Sequence, residues 1–120
     1  MTKIEIENGV MRVVVEGFDK VLALHSTLEV PLAHVRGASQ EPDALRERWG
    51  LRLAGASIPG VVAAGTFYDG NWWFLDVHHP ELAVKIDLDH EHYRALVVEV
   101  EDPAGTAAAI NAAIRPAPPA

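Results

Sequence analysis

The chain of 120 residues contains no cysteine. This absence excludes disulfide bonds, thiolate metal sites and a cysteine nucleophile. No apolar run approaches the ~20 residues that a helix needs to cross a bilayer. The first residues, Met1–Glu7, alternate charged with apolar side chains, unlike a signal segment. We therefore expect a cytoplasmic protein.

Positive charge is scarce as well. The sequence has 10 lysines and arginines against 17 aspartates and glutamates, which gives a net charge of −7. Duplex nucleic acid and anionic membranes both attract proteins through basic side chains. The charge balance therefore disfavours a nucleic-acid partner or a membrane-surface partner.

Apolar residues are plentiful, at 49% of the chain, and charged residues make up 22%. These proportions are typical of one soluble globular domain with an ordinary core. We predict a single domain over residues 1–115. The proline-rich tail, residues 116–120, is predicted to fray.

The N-terminal segment predicts a β-hairpin. Apolar and polar residues alternate from residue 2 to residue 16, and Asn8-Gly9 interrupts the alternation. Asn-Gly is the strongest short hairpin signal, because both residues tolerate the positive φ of a tight turn.

The middle of the chain is less regular. Residues 17–26 fit either a helical turn or a third strand, and Pro31 places the next strand at an edge or a corner. A strand is predicted at 33–39 and a short helix at 42–49, where a proline begins the helix and Gly50 follows it. Glycines interrupt residues 51–60, which we predict to be a loop.

The last third alternates again, and it predicts a meander of antiparallel strands followed by one helix. A strand at 61–68 turns through Asp69-Gly70 into the next segment. Three alternating stretches then follow: Trp72–His78, Ala83–Asp89 and Leu96–Glu101. In the last of these, Glu99 and Glu101 are predicted to face solvent. Asp102-Pro103 begins a helix over 104–115, with an apolar stripe at Ala107, Ile110, Ala113 and Ile114.

This order resembles the bacterial pleckstrin-homology-like (PH-like) domains. The resemblance is carried by LEVPLAHVRGAS, AGTFYDGNWWFLDVH and LVVEVEDPAGTAAAINAAI. It implies a mainly β, partly open antiparallel barrel of about seven strands, capped by the C-terminal helix. Members that bind phosphoinositides use several basic residues in their first loops. Residues 17–26 contain only Lys20, so we do not expect phosphoinositide binding.

The run Asp87 to His92 is the one candidate for metal binding. His90 and His92 share a face in extended backbone, with Asp87 and Asp89 nearby, and imidazoles with carboxylates suit zinc. A solvated polar turn between two strands explains the same run. We favour the turn, and predict no metal and no cofactor.

Asp76 and His78 share a face of one strand, which permits a hydrogen-bonded acid–base pair. Such a pair is more often a contact that fixes the end of a hairpin. None of the common nucleophile, metalloprotease, phosphate-binding or dinucleotide motifs occurs in the sequence. We therefore predict that the protein is not an enzyme.

Three arginines lie close together beside the predicted loop, at Arg46, Arg48 and Arg52. They could hold an anionic ligand through bidentate contacts, or pair with the local acids. Pairing with those acids is the more common outcome for exposed arginines.

The tryptophans suggest a contact surface. Trp72 and Trp73 must face opposite sides of their strand, so one belongs to the core and the other lies nearer the surface. A surface tryptophan beside Phe74 or Tyr68 would mark a docking patch, because partners bind at aromatic side chains. Partial burial under residues 41–60 is the alternative.

Together these features favour a non-catalytic binding or assembly module that contacts another protein or a second copy of itself. The alternative is a small-molecule or metal-binding protein, or an enzyme, with a pocket under residues 51–60. Its polar groups would be Asp76, His78 and the three arginines.

Overall fold

The computed structural model describes residues 2–15, 27–42, 51–58, 62–68 and 70–114, and only the backbone at 51–58 and 62–67. Nine strands, one α-helix and two 3-10 turns occur in these ranges. The strands are β1 Thr2–Glu7, β2 Val10–Val15, β3 Thr27–Pro31, β4 Val35–Gln40, β5 Leu51–Ile58, β6 Val62–Tyr68, β7 Trp72–Val77, β8 Ala83–Leu88 and β9 Ala95–Glu99. The 3-10 turns are Leu32–His34 and Pro80–Leu82, and the helix α1 is Pro103–Ile114.

The N-terminal hairpin is confirmed. Strands β1 and β2 pair antiparallel, and Glu7 lies opposite Val10 across the turn. Asn8 has φ of 53° and Gly9 has φ of 77°, so both occupy the left-handed region that a two-residue turn requires. Strand β3 adds to the other side of β2 and ends at Pro31, at the edge of this three-stranded sheet.

The second sheet has six strands in the order β4-β8-β9-β7-β6-β5. Its last three strands in sequence were predicted as a meander, and that order is wrong. Strand β9 lies between β7 and β8, pairing parallel with β7 and antiparallel with β8. Strands β7 and β8 are therefore not neighbours in the sheet, and the connection between them, which includes Pro80–Leu82, has to pass β9.

The predicted loop at residues 51–60 is also wrong over most of its length. Residues Leu51–Ile58 form β5, which pairs with β6 from Leu51 opposite Tyr68 to Ile58 opposite Val62. Sequence periodicity did not predict this strand because its alanines and glycine are small, so apolar and polar side chains do not alternate clearly. The predicted helix at 42–49 lies outside the described residues from position 43 onward, as do residues 16–26 and the tail from 115.

The main core lies between the two sheets and α1. The three-stranded sheet contributes Met11, Val13 and Val30, and the six-stranded sheet contributes one face that includes Phe74 and Ile86. The other members on the six-stranded sheet and α1 include Val84, Leu88, Leu96, Val98, Ala107 and Ile110. The described strands thus form two packed sheets and no closed barrel.

Helix α1 packs mainly against β4, at the edge of the six-stranded sheet. Ala107 and Ile110 are buried and Ile114 is half-buried, as the apolar stripe predicted, whereas Ala113 is exposed. No helix within the described ranges is long and apolar enough to span a membrane.

The second face of the six-stranded sheet is buried too. Trp73, Leu75 and Val97 belong to a separate apolar cluster on that face. Trp73 therefore points away from Trp72, as strand geometry predicted. Glu99, predicted to face solvent, is only 4% exposed because it shares this covered face.

Candidate functional site

The three arginines predicted to line a pocket under residues 51–60 have side chains outside the described part of the structure. Arg46 and Arg48 lie outside the described residues, and only the backbone of Arg52 is described, within β5. Most of the segment predicted to cover that pocket, Leu51–Ile58, is a strand of the sheet.

Asp76 is fully buried, and its carboxyl oxygen Oδ2 accepts a hydrogen bond of 2.6 Å from the Thr2 hydroxyl. This bond joins β7 of one sheet to β1 of the other. At the same end of the sheet Glu99 and His79 form an acid–imidazole pair, with 3.2 Å between Nδ1 and the carboxylate.

Glu99 anchors the chain where it leaves β7. Its Oε1 accepts hydrogen bonds from the backbone N–H of His78 at 2.9 Å and of His79 at 2.5 Å. The carboxylate is nearly buried, whereas the His79 side chain is 63% exposed. A carboxylate that accepts hydrogen bonds from two backbone N–H groups and lies against one ring fixes the chain in this turn.

The aromatic residues predicted to mark a docking patch differ in how far they are buried. Phe74 is completely buried in the main core and is not part of any surface. Trp72 is partly exposed, and its ring lies 5.0 Å from that of Tyr68, which is 41% exposed. On its other side Trp72 stacks against His92 at 4.8 Å with the planes 31° apart. We call Tyr68, Trp72 and His92 the aromatic row.

The aromatic row forms part of a cleft of about 350 Å³ at one end of the six-stranded sheet. One wall comes from the turn between β6 and β7, and the other from the loop between β8 and β9. The remaining lining residues are Gly70, Asn71, Leu88, Asp89, Glu91, Tyr93 and Arg94.

Backbone hydrogen bonds hold the β8–β9 loop in place. The Arg94 N–H donates to the carbonyl of Trp72 at 2.7 Å, and the Leu88 N–H donates to the carbonyl of Arg94 at 2.9 Å. Asp89 N–H donates to the carbonyl of His34 at 2.9 Å. His90 takes a left-handed φ of 55° within the bend of this loop. The loop is thus fixed at both ends to neighbouring elements.

Ion pairs with the segment at the start of β4 fix the same loop. The His34 ring and the Glu91 carboxylate are 2.5 Å apart, and Arg36 contacts the Asp89 carboxylate. The hydrogen bond from Arg36 lowers the pKa of Asp89, desolvation opposes the shift, and His90 at 3.2 Å adds to the lowering. Both acids of the loop are therefore engaged from outside the cleft.

The predicted metal-binding run is divided between different neighbours. His92 stacks on Trp72 and meets the Tyr93 ring edge-on, whereas the His90 ring lies beside that of His34 at 5.8 Å. The Asp87 carboxylate oxygen Oδ1 lies 3.9 Å from Nζ of Lys85. Within the described ranges, no three histidines or acids are placed so that they could hold a metal ion.

Arg94 and Glu99 were missed as site residues, and His92 was considered only as a metal ligand. The loop sequence His-Glu-His-Tyr-Arg was interpreted as a solvated turn, although an aromatic residue beside an arginine was a usable signal. Comparison of the chain with family models, with curated proteins and with solved structures found no match.

Proposed function

We propose that the protein is a non-catalytic binding module that docks another protein, or a second copy of itself, through the aromatic row. The exposed ring of Tyr68 beside Trp72 carries this proposal. Aromatic side chains are enriched at protein interfaces, where they bury much area at little entropic cost. Tyr68 and Ile6 are the large apolar residues that stand most exposed in the described part of the chain.

The geometry of the row supports a docking role. Trp72 lies on a paired strand, and His92 lies on a loop held by backbone hydrogen bonds and ion pairs. A rigid contact surface loses little conformational entropy on binding. The patch therefore needs no large rearrangement to receive a partner.

Strand addition at a sheet edge has less support than docking at the row. The side-chain amide of Asn111 hydrogen-bonds the backbone of Ala38, which occupies the middle of edge strand β4. The edge strand β1 carries Lys3, Glu5 and Glu7, and such charges discourage pairing with another strand. Pro31 does the same at the end of β3.

We also propose that the fold is PH-like, as the sequence resemblance implies. Its support is a mainly β chain with two packed sheets, followed by a single C-terminal helix that contributes to the core. A cytoplasmic location is proposed with it, because the chain lacks cysteine. A pocket built on Asp76 is not favoured, since that carboxyl is enclosed in the core and bonded to Thr2.

A photo-crosslinking experiment tests the docking role. The photoreactive amino acid p-benzoylphenylalanine is placed at Tyr68, and at Ile6 as the matched exposed control on the other sheet. We expect discrete cross-linked products, with a partner or as a dimer, from position 68 and not from position 6. Sedimentation velocity over a range of concentrations then separates the two cases, because a dimer formed through the row is lost in Tyr68→Ala and kept in Ile6→Ala.

Two results would overturn the proposal. One is a protein that stays monomeric and gives no discrete product at position 68. The other is the same set of products from positions 6 and 68, which would indicate random collision.

A further inference from the structure

We infer that the cleft recognises a carboxylate that lies next to a planar side chain in the docking partner. Arg94 would bind the carboxylate, and the Trp72–His92 pair would stack with the planar group. This inference rests on the proposed docking role of the aromatic row and names the chemistry of what docks there.

Arg94 is a rigidly placed cation. Its backbone N–H and carbonyl are both used, by Trp72 and by Leu88, so its Cα is fixed at the base of the loop. Its side chain is exposed at the cleft and contacts no carboxylate within the described residues. A guanidinium presents a planar set of donors that matches the two oxygens of a carboxylate.

Among the described residues, the other charges around the cleft have partners elsewhere, which leaves Arg94 as the group available for a ligand. Asp89 is bound by Arg36 and lies 3.2 Å from His90, and Glu91 is bound by His34. Their partners approach from β4 and the 3-10 turn before it, outside the cleft. The cleft therefore offers a cation to a ligand although the whole chain is acidic.

The planar surface lies beside this cation. The rings of Trp72 and His92 are 4.8 Å apart and only 31° from parallel, and Tyr68 extends the row at 5.0 Å from Trp72. Aromatic rings prefer offset-stacked or edge-on contacts with other planar groups. A ligand with a ring and a carboxylate a few bonds apart would contact both features at once.

A carboxylate fits this cleft better than a phosphate group. Asp89 and Glu91 line the same cleft and contribute negative potential even when paired. One arginine offsets a single negative charge, whereas a phosphate monoester carries close to two at neutral pH. The mixture of charges thus selects a monoanion over a phosphorylated group.

Small peptides can test the inference without knowledge of the partner. The full chain, labelled with ¹⁵N, is titrated with acetyl-Phe-Glu-amide and with acetyl-Phe-Gln-amide while the Trp72 indole and Arg94 side-chain NMR signals are followed. We expect millimolar binding of the Glu peptide at the cleft, about tenfold tighter than the Gln peptide. N-acetylphenylalanine against its amide tests a C-terminal carboxylate, and AMP tests phosphate.

Substitutions test which side chain recognises the carboxylate of the peptide. Arg94→Gln should remove the preference for Glu over Gln, and Arg94→Lys should keep part of it because the charge remains. Arg12→Gln, an exposed arginine that lies 3.5 Å from Glu29 on the other sheet, should change nothing. Arg94→Glu should reverse the preference toward acetyl-Phe-Lys-amide.

The inference fails if Glu and Gln peptides bind equally, if their shifts map away from the cleft, or if AMP binds more tightly than the Glu peptide. It also fails if Arg94→Gln leaves the preference unchanged. If cross-linking at position 68 still gives discrete products in that case, the docking role stands and only the carboxylate preference falls. The absence of those products would instead remove the docking role itself.

Discussion

The side chain of Asn111 in α1 hydrogen-bonds both backbone groups of Ala38 in β4. Its amide oxygen accepts from the Ala38 N–H at 2.9 Å, and its amide nitrogen donates to the Ala38 carbonyl at 2.8 Å. A primary amide reproduces in this way the donor and acceptor that a neighbouring strand would offer. The helix thus closes part of the sheet edge that would otherwise be open to another strand.

We expect Asn111→Ala to lower the free energy of unfolding by roughly 1–3 kcal/mol, because it removes both hydrogen bonds and leaves two half-buried backbone groups without them. Ala112→Ser, at an exposed position on the same helix, is the control. Urea unfolding measures the difference. A loss below about 0.5 kcal/mol, the size of an ordinary surface substitution, would contradict this role for Asn111.

The hydrogen bond between Thr2 and Asp76 crosses the two sheets inside the core. Thr2→Val keeps the shape of the side chain but removes the donor, so we expect a loss of roughly 1–3 kcal/mol in the free energy of unfolding. Thr2→Ser retains a hydroxyl and should lose less. Equal stability of Thr2→Val and the unmodified protein in urea would show that the bond contributes nothing.

Glu99 should stabilise the fold because its side-chain oxygen accepts hydrogen bonds, and not because the side chain is charged. Glu99→Leu leaves the N–H groups of His78 and His79 without their acceptor, and we expect a loss of roughly 2–4 kcal/mol. Glu99→Gln keeps an oxygen acceptor and should cost clearly less. Hydrogen exchange at residues 78 and 79 provides a local measurement, with faster exchange expected in Glu99→Leu. Unchanged exchange at these two amides would contradict the assignment.

Asp89 should make stability depend on pH in the acid range. Because Arg36 lowers the pKa of Asp89 below its ordinary value of 3.8, folding stabilises the ionised carboxylate. This contribution is complete above that ordinary value and is lost as the pH falls through the lowered pKa. A ¹³C NMR titration should place the Asp89 midpoint below 3.8, and Arg36→Gln should raise it. A midpoint at or above 3.8 in the unmodified protein would contradict the ion pair.

Local sequence patterns predicted most of the strands, because alternation and turn residues act over a few positions. The hairpin at Asn8-Gly9 and the inward faces of β8 and β9 follow from such patterns. One usable signal was overlooked. The runs Trp72–Leu75 and Ala95–Val98 are apolar without alternation, which is typical of strands that are buried on both faces, as neighbouring parallel strands often are.

By itself, the sequence determined most of the extended segments, the apolar side of strands such as β2 and β8, and where the terminal helix begins. Strand neighbours, however, depend on contacts between distant segments, which residue periodicity does not encode. Only the tertiary structure therefore inserted β9 between β7 and β8, covered Glu99 and joined Asn111 to Ala38. The same long-range packing brought Arg94 and His92 beside Tyr68 and Trp72, and so assembled a cleft from two loops that no single stretch of sequence contains.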